Sequence, residues 1–73
     1  MQNLTKREKE ILLLAIHSTP IISKRLTISQ STIKTHFQNI FNKLEIKGRF
    51  KALLKALKYK QIQLDDISLE EQA

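Results

Sequence analysis

Five polar side chains share one side of a stretch in the middle of the chain, and their types suit contacts with nucleic-acid bases. If residues 30–44 form a helix, its outer side carries Ser31, Lys34, Thr35, Gln38 and Asn42. This set holds one cation, no carboxylate and several groups that donate or accept hydrogen bonds, so it can reach base edges without repelling phosphates. An ordinary amphipathic surface helix with a solvated polar side explains the same pattern.

Four of these residues are the candidate base-reading positions. Lys34 can either hold a phosphate or reach O6 and N7 of guanine, and Gln38 can pair with N6 and N7 of adenine. Thr35 can offer its methyl group to thymine or its hydroxyl to a neighbouring base, and Ser31 completes the set. Cations and amides beside them are the candidates for holding phosphates without reading sequence: Lys24, Arg25, Lys43 and Asn42.

The distribution of charge also points to a polyanionic partner. The first 64 residues hold all thirteen Lys and Arg against three Glu, a balance of +10, whereas the last nine hold the other four acids. A body this basic favours nucleic acid or an anionic membrane surface as its partner. Solubility alone explains a milder excess, so charge does not identify the partner.

Composition argues against several other classes of protein. The 73 residues include no cysteine, one glycine and two histidines nineteen positions apart, which disfavours a disulfide framework, a zinc site and a glycine-rich phosphate loop. No carboxylate pair or activated nucleophile is evident, so we expect neither an enzyme nor a cofactor nor a small-molecule substrate. Without a membrane-spanning run or a secretory pattern, the expected location is the cytoplasm.

The hydrophobic pattern predicts an all-α, compact four-helix domain. Thr5 and Glu8 form a capping box, Ser18 or Thr19 precedes a first-turn proline, and Ser29 is a suitable N-cap. Only three residues separate the second and third helices, which is the geometry of a helix-turn-helix. The helices are expected at about residues 6–16, 20–26, 30–44 and 49–60.

Apolar residues at helical spacing define the expected core. In the third helix they are Ile33, Phe37, Ile40 and Leu44, with Phe41 on the flank. The other residues expected to face the core are Ile11, Leu12, Ala15, Ile16, Ile22, Ser23, Leu26, Ile46, Phe50, Leu53, Leu54 and Leu57.

The fourth helix also carries a strip of mostly small residues nearly opposite its expected core side, formed by Ala52, Ala56 and Tyr59. This strip is either an exposed surface of high helix propensity or a contact between two copies of the chain. We favour the contact, and therefore a homodimer. Arg49 is expected to serve structure, and His36 to be packed and partly exposed.

Three separated blocks of sequence resemble the LuxR-type (LuxR/NarL/GerE-like) helix-turn-helix domain of bacterial regulators. The resemblance covers about residues 4–58, in the blocks 4–12, 28–36 and 43–49. It implies a four-helix DNA-binding domain whose third helix enters the major groove and whose fourth often mediates dimerisation. It further implies that Lys34, Thr35 and Gln38 face bases, and that Thr32 and the start of the second helix hold phosphates.

The chain departs from the family pattern at the turns. The connection between the first two helices is about two residues shorter than usual, and Ile21 replaces a glutamate of the second helix. Thr27 and Glu45 occupy turn positions often held by glycine, where a positive φ is costly for other residues. Because the position of Gln38 is often lysine in relatives, the target sequence cannot be borrowed.

The expected organisation is a DNA-binding domain at residues 1–60 followed by an acidic tail at 61–73, which either frays or folds back on the basic body. The favoured function is sequence-specific binding of double-stranded DNA as a transcriptional regulator, with RNA polymerase as a possible partner. One alternative is a module that binds and modulates another regulator through helix four, Leu13 and Ile21. Another is a general basic binder whose affinity follows charge and salt.

Overall fold

The computed structural model describes residues 2–63, and within that range the fold consists of helices without strands. The helices are α1 (Lys6–Leu13), α2 (Thr19–Leu26), α3 (Gln30–Leu44) and α4 (Arg49–Lys58). The longest of them, α3, packs against the other three. The all-α, four-helix prediction is confirmed, and so are the predicted bounds of α3.

Helix α1 is shorter than predicted because its last turn tightens. The amides of Leu14, Ala15 and His17 donate to carbonyls three residues earlier, at 2.9–3.0 Å, which is the 3₁₀ pattern. Ser18 then serves as N-cap of α2 and Pro20 lies in its first turn, where a missing amide costs nothing. The tightened turn allows a short connection between α1 and α2.

Helix α4 also ends earlier than predicted. Lys60 adopts a left-handed conformation with φ of 61°, and the amide of Gln61 donates to the carbonyl of Ala56 at 2.8 Å. This arrangement reverses the chain at the helix end. It returns Ile62 to the core and places the Gln61 amide oxygen 3.2 Å from the amide of Leu4. The packed body thus extends past the predicted boundary at residue 60, and residues 64–73 of the predicted acidic tail lie outside the described residues.

The prediction that α4 faces the core with Phe50 and Leu54 is wrong. Their side chains are 63% and 64% exposed, whereas Ala52 and Ala56 have no exposed surface. Arg49 explains this rotation, because its side chain points inward and residues three, four and seven positions later share its side of the helix. Alanines at that contact let α4 approach its neighbours closely.

Thirteen apolar residues from all four helices and both ends of the described chain form one core. The predicted inward stripe of α3 is confirmed, with Phe41 partly buried on its flank. Leu26, Ile46 and Leu57, which the sequence predicts in the core, are only partly buried against it, and Ile16 is exposed. The core residues are Leu4, Ile11, Leu12, Ala15, Ile22, Ile33, Phe37, Ile40, Leu44, Ala52, Leu53, Ala56 and Ile62.

The two turns around α3 use left-handed residues that are not glycine. Thr27 has φ of 57° and Glu45 has φ of 58°, so both positions require the conformation that glycine adopts most readily. After Thr27, the amide of Ile28 donates to the carbonyl of Ser23 at 3.2 Å, and the Ser23 hydroxyl donates to the carbonyl of Ile28. These bonds hold the steep turn between α2 and α3.

Candidate nucleic-acid interface

The start of α3 is fixed by a cluster of hydroxyl groups. The Ser29 side chain accepts from the amide of Thr32 at 3.1 Å, which satisfies one of the free amides of the first turn. The same hydroxyl lies 2.8 Å from Thr32 Oγ1 and 3.3 Å from Ser31 Oγ. All three residues are exposed, so the N-terminal turn of α3 presents hydroxyl groups and amides to solvent.

The exposed side of α3 contains the polar residues predicted from the sequence. They lie opposite the buried stripe of Ile33, Phe37, Ile40 and Leu44, and all of them are exposed. Helix α3 contains no acidic residue between Gln30 and Leu44. We call this surface the α3 polar face, formed by Ser31, Lys34, Thr35, Gln38 and Asn42.

Two hydrogen bonds within the α3 polar face define what its side chains still offer. The Thr35 hydroxyl donates to the carbonyl of Ser31 at 3.1 Å, so its oxygen remains an acceptor and its methyl group is free for apolar contact. The Gln38 amide donates to the Asn42 side-chain oxygen at 3.4 Å, a long bond on an exposed surface. Gln38 therefore gives up little to bind another group.

The candidate phosphate-binding residues differ in their surroundings. Thr32 is exposed at the first turn of α3, and Lys24 and Arg25 are exposed in the last turn of α2. Lys43 is different, because its Nζ lies 2.8 Å from Glu8 Oε1 and its side chain is only 23% exposed. This ion pair joins α1 to the C-terminal end of α3, and it counts against a phosphate contact by Lys43.

Glu8 is the buried acid in this arrangement, and the sequence did not predict its second role. Its carboxylate accepts from the Thr5 amide at 2.8 Å, and the Thr5 hydroxyl accepts from the Glu8 amide at 3.1 Å, which confirms the capping box. Burial alone raises the pKa of Glu8, but the hydrogen bonds and charge from Lys43 and Thr5 outweigh it and bring that pKa below its ordinary value. Because the capping box already satisfies the Glu8 carboxylate, no local sequence pattern indicates a second partner for it.

Arg49 has the structural role predicted for it. Its guanidinium donates to the carbonyl of His17 at 3.1 Å and to the Thr19 hydroxyl, and it lies 4.2 Å from the centre of the Phe37 ring. One side chain at the start of α4 thus contacts the α1–α2 connection, α2 and the core side of α3. Burial lowers the pKa of Arg49, because the desolvated guanidinium loses hydration.

The outer side of α4 carries exposed apolar residues among lysines. Phe50, Leu54 and Tyr59 are exposed, and Lys51 and Lys58 lie beside them. Of the three residues of the predicted dimer strip, only Tyr59 lies on this exposed side. Ala52 and Ala56 cannot contact a second copy of the chain while the fold is intact, because their side chains are fully buried in their own core.

Other kinds of site find no support in residues 2–63. No three metal-ligating side chains converge there, and no helix combines the length and apolarity required to cross a bilayer. His36 is partly buried on the flank of α3, as predicted.

Comparison with known proteins gives consistent results. Residues 2–56 match the model of the family described as bacterial regulatory proteins, luxR family. The spore germination protein GerE of Bacillus subtilis is 38% identical over 63 residues, covering 84% of this chain and 85% of GerE. The response regulator protein VraR of Staphylococcus aureus is 42% identical over 62 residues, which cover 82% of this chain but only 30% of VraR.

The fold is likewise similar to a solved structure. The structure of the transcription factor GerE superposes with a TM-score of 0.78 at 39% sequence identity, covering 89% of this chain and all of the compared chain.

Proposed function

The chain belongs to the luxR family of bacterial regulatory proteins, which are DNA-binding regulators rather than enzymes, and we propose that it binds double-stranded DNA sequence-specifically with α3 in the major groove. The observation that carries this proposal is the α3 polar face. It is exposed, contains no acid and lies opposite a fully packed stripe, so it can enter a groove without any change in the core.

Each residue of the α3 polar face has a proposed role. Lys34 contacts guanine O6 and N7, and Gln38 exchanges its long bond to Asn42 for a paired contact with adenine. Thr35 offers its methyl group to thymine, since its hydroxyl proton is already donated within the helix. Ser31 supplies a further hydroxyl near the groove floor.

Phosphate contacts fix the register of α3 on the duplex. We assign them to the exposed Thr32, Lys24, Arg25 and Asn42, together with amides at the start of α3. Lys43 is no longer favoured for this role, because binding a phosphate would take it from Glu8.

We further propose that the protein acts in the cytoplasm as a homodimer on a nearly palindromic site. The dimer contact uses the exposed side of α4, centred on Phe50, Leu54 and Tyr59, in place of the alanine strip predicted from the sequence. A two-fold dimer places two copies of α3 about one turn of DNA apart, which favours two inverted half-sites. RNA polymerase is a proposed further partner of the bound dimer.

The decisive experiment is selection of binding sites from a random pool of DNA, followed by footprinting of the selected sequence at near-physiological salt. The proposal expects a defined site with two inverted halves. Equal affinity for every duplex, with a steep loss as salt rises, would indicate a general basic binder instead.

A second candidate function is favoured by the exposure of Phe50 and Leu54. Large apolar side chains that are more than half exposed and adjacent on one helix suit a protein interface. The protein would then bind another regulator through α4 and modulate it. In that case Leu54→Gln abolishes the complex with the other regulator and leaves the binding of DNA half-sites unchanged.

A further inference from the structure

A groove beside α4 combines an apolar surface with positive charge. It has a volume of about 400 Å³ and is lined by Ile46, Lys51, Leu54, Lys55, Lys58 and Tyr59. We call it the α4 groove. Its apolar part comes from Ile46, Leu54 and the Tyr59 ring, and its charge comes from three lysines of one helix.

The charged residues of α4 are all positive. The ten residues from Arg49 to Lys58 include four cations and no acid. No acid within α4 compensates these cations, so an acidic occupant of the groove gains favourable charge interactions there. The α4 groove therefore suits an occupant that carries both apolar and acidic side chains.

The C-terminal segment of the chain has this composition. Residues 64–73 contain three large aliphatic residues and four of the seven acids of the protein, closely interspersed. These residues are Leu64, Ile67 and Leu69 with Asp65, Asp66, Glu70 and Glu71.

The described chain ends beside α4 and close enough for the segment to reach the groove. Leu57, Lys60, Ile62 and Gln63 line a second depression at the end of this helix, and Leu57 is one turn from Leu54. Ten extended residues span up to about 33 Å, whereas the ten residues of α4 span about 15 Å. The length of residues 64–73 is therefore sufficient to run along the whole helix.

We propose that the acidic segment 64–73 docks in the α4 groove of its own chain. Its aliphatic residues contact Ile46 and Leu54, and its acids pair with the three lysines. The docking itself does not depend on DNA binding. It has a consequence that rests on the proposed dimer: the segment and a second copy compete for one surface, so the segment limits dimerisation.

The absence of cysteine allows a direct test on the full chain. Ser68→Cys introduces a single thiol for a nitroxide label between Ile67 and Leu69. In NMR spectra the proposal expects the greatest loss of peak intensity, relative to a diamagnetic label, at Leu54, Lys55 and Lys58, and a smaller loss on the α3 polar face. Intensity loss at Lys34 and Gln38 equal to that at Leu54, or no loss anywhere on α4, would refute it.

A mixed sample distinguishes the chain's own segment from that of another copy. Isotope-labelled protein without nitroxide is combined with unlabelled protein that carries it, at a concentration at which analytical ultracentrifugation shows monomers. The proposal expects no intensity loss in the mixture. A loss there would show that the segment occupies the groove of a second copy, and docking within one chain would be rejected.

The contribution of the three lysines to docking is tested with two matched triple variants. Lys51→Gln, Lys55→Gln and Lys58→Gln together should remove the intensity loss, whereas Lys9→Gln, Lys24→Gln and Lys47→Gln together should retain it. Equal effects of the two triple variants, both still folded by NMR dispersion, would contradict specific docking. These readouts require no DNA, so a failure of the proposed DNA binding leaves their outcome unchanged.

The effect on dimerisation is measured by analytical ultracentrifugation. Neutralising the acids with Asp65→Asn, Asp66→Asn, Glu70→Gln and Glu71→Gln is expected to lower the dimer dissociation constant. An unchanged or higher dissociation constant would refute competition between the segment and a second copy.

Discussion

Replacing Glu8 by glutamine tests how α1 holds the C-terminal end of the DNA-reading helix. Glutamine keeps the shape and an acceptor for the Thr5 amide, but it removes the charge that pairs with Lys43 at 2.8 Å. Breaking a fully buried ion pair costs roughly 3–5 kcal/mol, and an exposed pair contributes roughly 0–1 kcal/mol. The Glu8 and Lys43 side chains are 6% and 23% exposed, which places this pair between the two limits.

We therefore expect Glu8→Gln to reduce the free energy of unfolding by about 2 kcal/mol at neutral pH. For a domain of this size, that loss lowers Tm by roughly 8–16 °C. The assay is thermal and urea unfolding followed by circular dichroism. Glu10→Gln is the matched control, because Glu10 pairs with Arg7 at 3.3 Å with both side chains 45% exposed, and it should cost at most about 0.5 kcal/mol.

The pH dependence of this difference follows from the direction of the pKa shift. The pKa of Glu8 is lower in the folded protein than its ordinary value of 4.5, so the charged form contributes stability above that value. This contribution disappears as pH falls through the folded-state pKa, and the unfolding curves of the parent and Glu8→Gln should then converge. Equal losses for Glu8→Gln and Glu10→Gln, or a difference that persists unchanged in strong acid, would refute this role for the ion pair.

Three further predictions concern the packing, turns and outer surface. Ala52→Leu should destabilise the fold by roughly 1–3 kcal/mol through overpacking, as measured by urea unfolding; an unchanged midpoint would contradict the close approach of α4. Thr27→Gly should stabilise the turn by about 0.5–1 kcal/mol because φ is 57°, and a lower Tm would show that the threonine side chain is needed there. Leu54→Gln should leave Tm nearly unchanged, since the side chain is 64% exposed, but weaken the dimer in analytical ultracentrifugation; an unaltered dimer would exclude this surface as the contact.

Helix α3 is predictable from sequence because independent local signals agree. Ser29 provides a cap, four apolar residues form one stripe, and the remaining surface is polar without acids. The two turns are different, because Thr27 and Glu45 adopt left-handed conformations that their residue types disfavour. Only the family resemblance, in which glycine often occupies these positions, singled them out. The location of the α3 polar face is thus a local property of the sequence.

The rotation of α4 is not a local property. Its sequence contains two apolar stripes, one with Phe50 and Leu54 and the other with Ala52 and Ala56, and larger residues normally favour the core. The contacts of Arg49 with His17, Thr19 and Phe37 decide between them, and these partners are distant in sequence. Periodicity alone therefore predicts the wrong side of α4 as the one that faces the core.

The ion pair between Glu8 and Lys43 was not predicted from the sequence, for a related reason. Thirty-five positions separate them, and each already had a satisfactory local interpretation, as a cap and as a phosphate contact. Only the packing of α1 across α3 brings them together. A buried carboxylate in a strongly basic chain is a signal of such a pair, but it becomes visible only when burial is known.

The central claim is that the α3 polar face reads base sequence, and the most direct measurement compares two lysine variants on selected and mismatched duplexes. Lys34→Ala should weaken binding to the selected site by roughly 1–3 kcal/mol and abolish discrimination at one base pair, whereas Lys24→Ala should weaken binding to all duplexes alike. The binding free energies of both variants are measured by equilibrium titration at one fixed salt concentration. An equal loss on every sequence for both variants would show that Lys34 only holds a phosphate, and no preference in the parent protein would contradict sequence reading altogether.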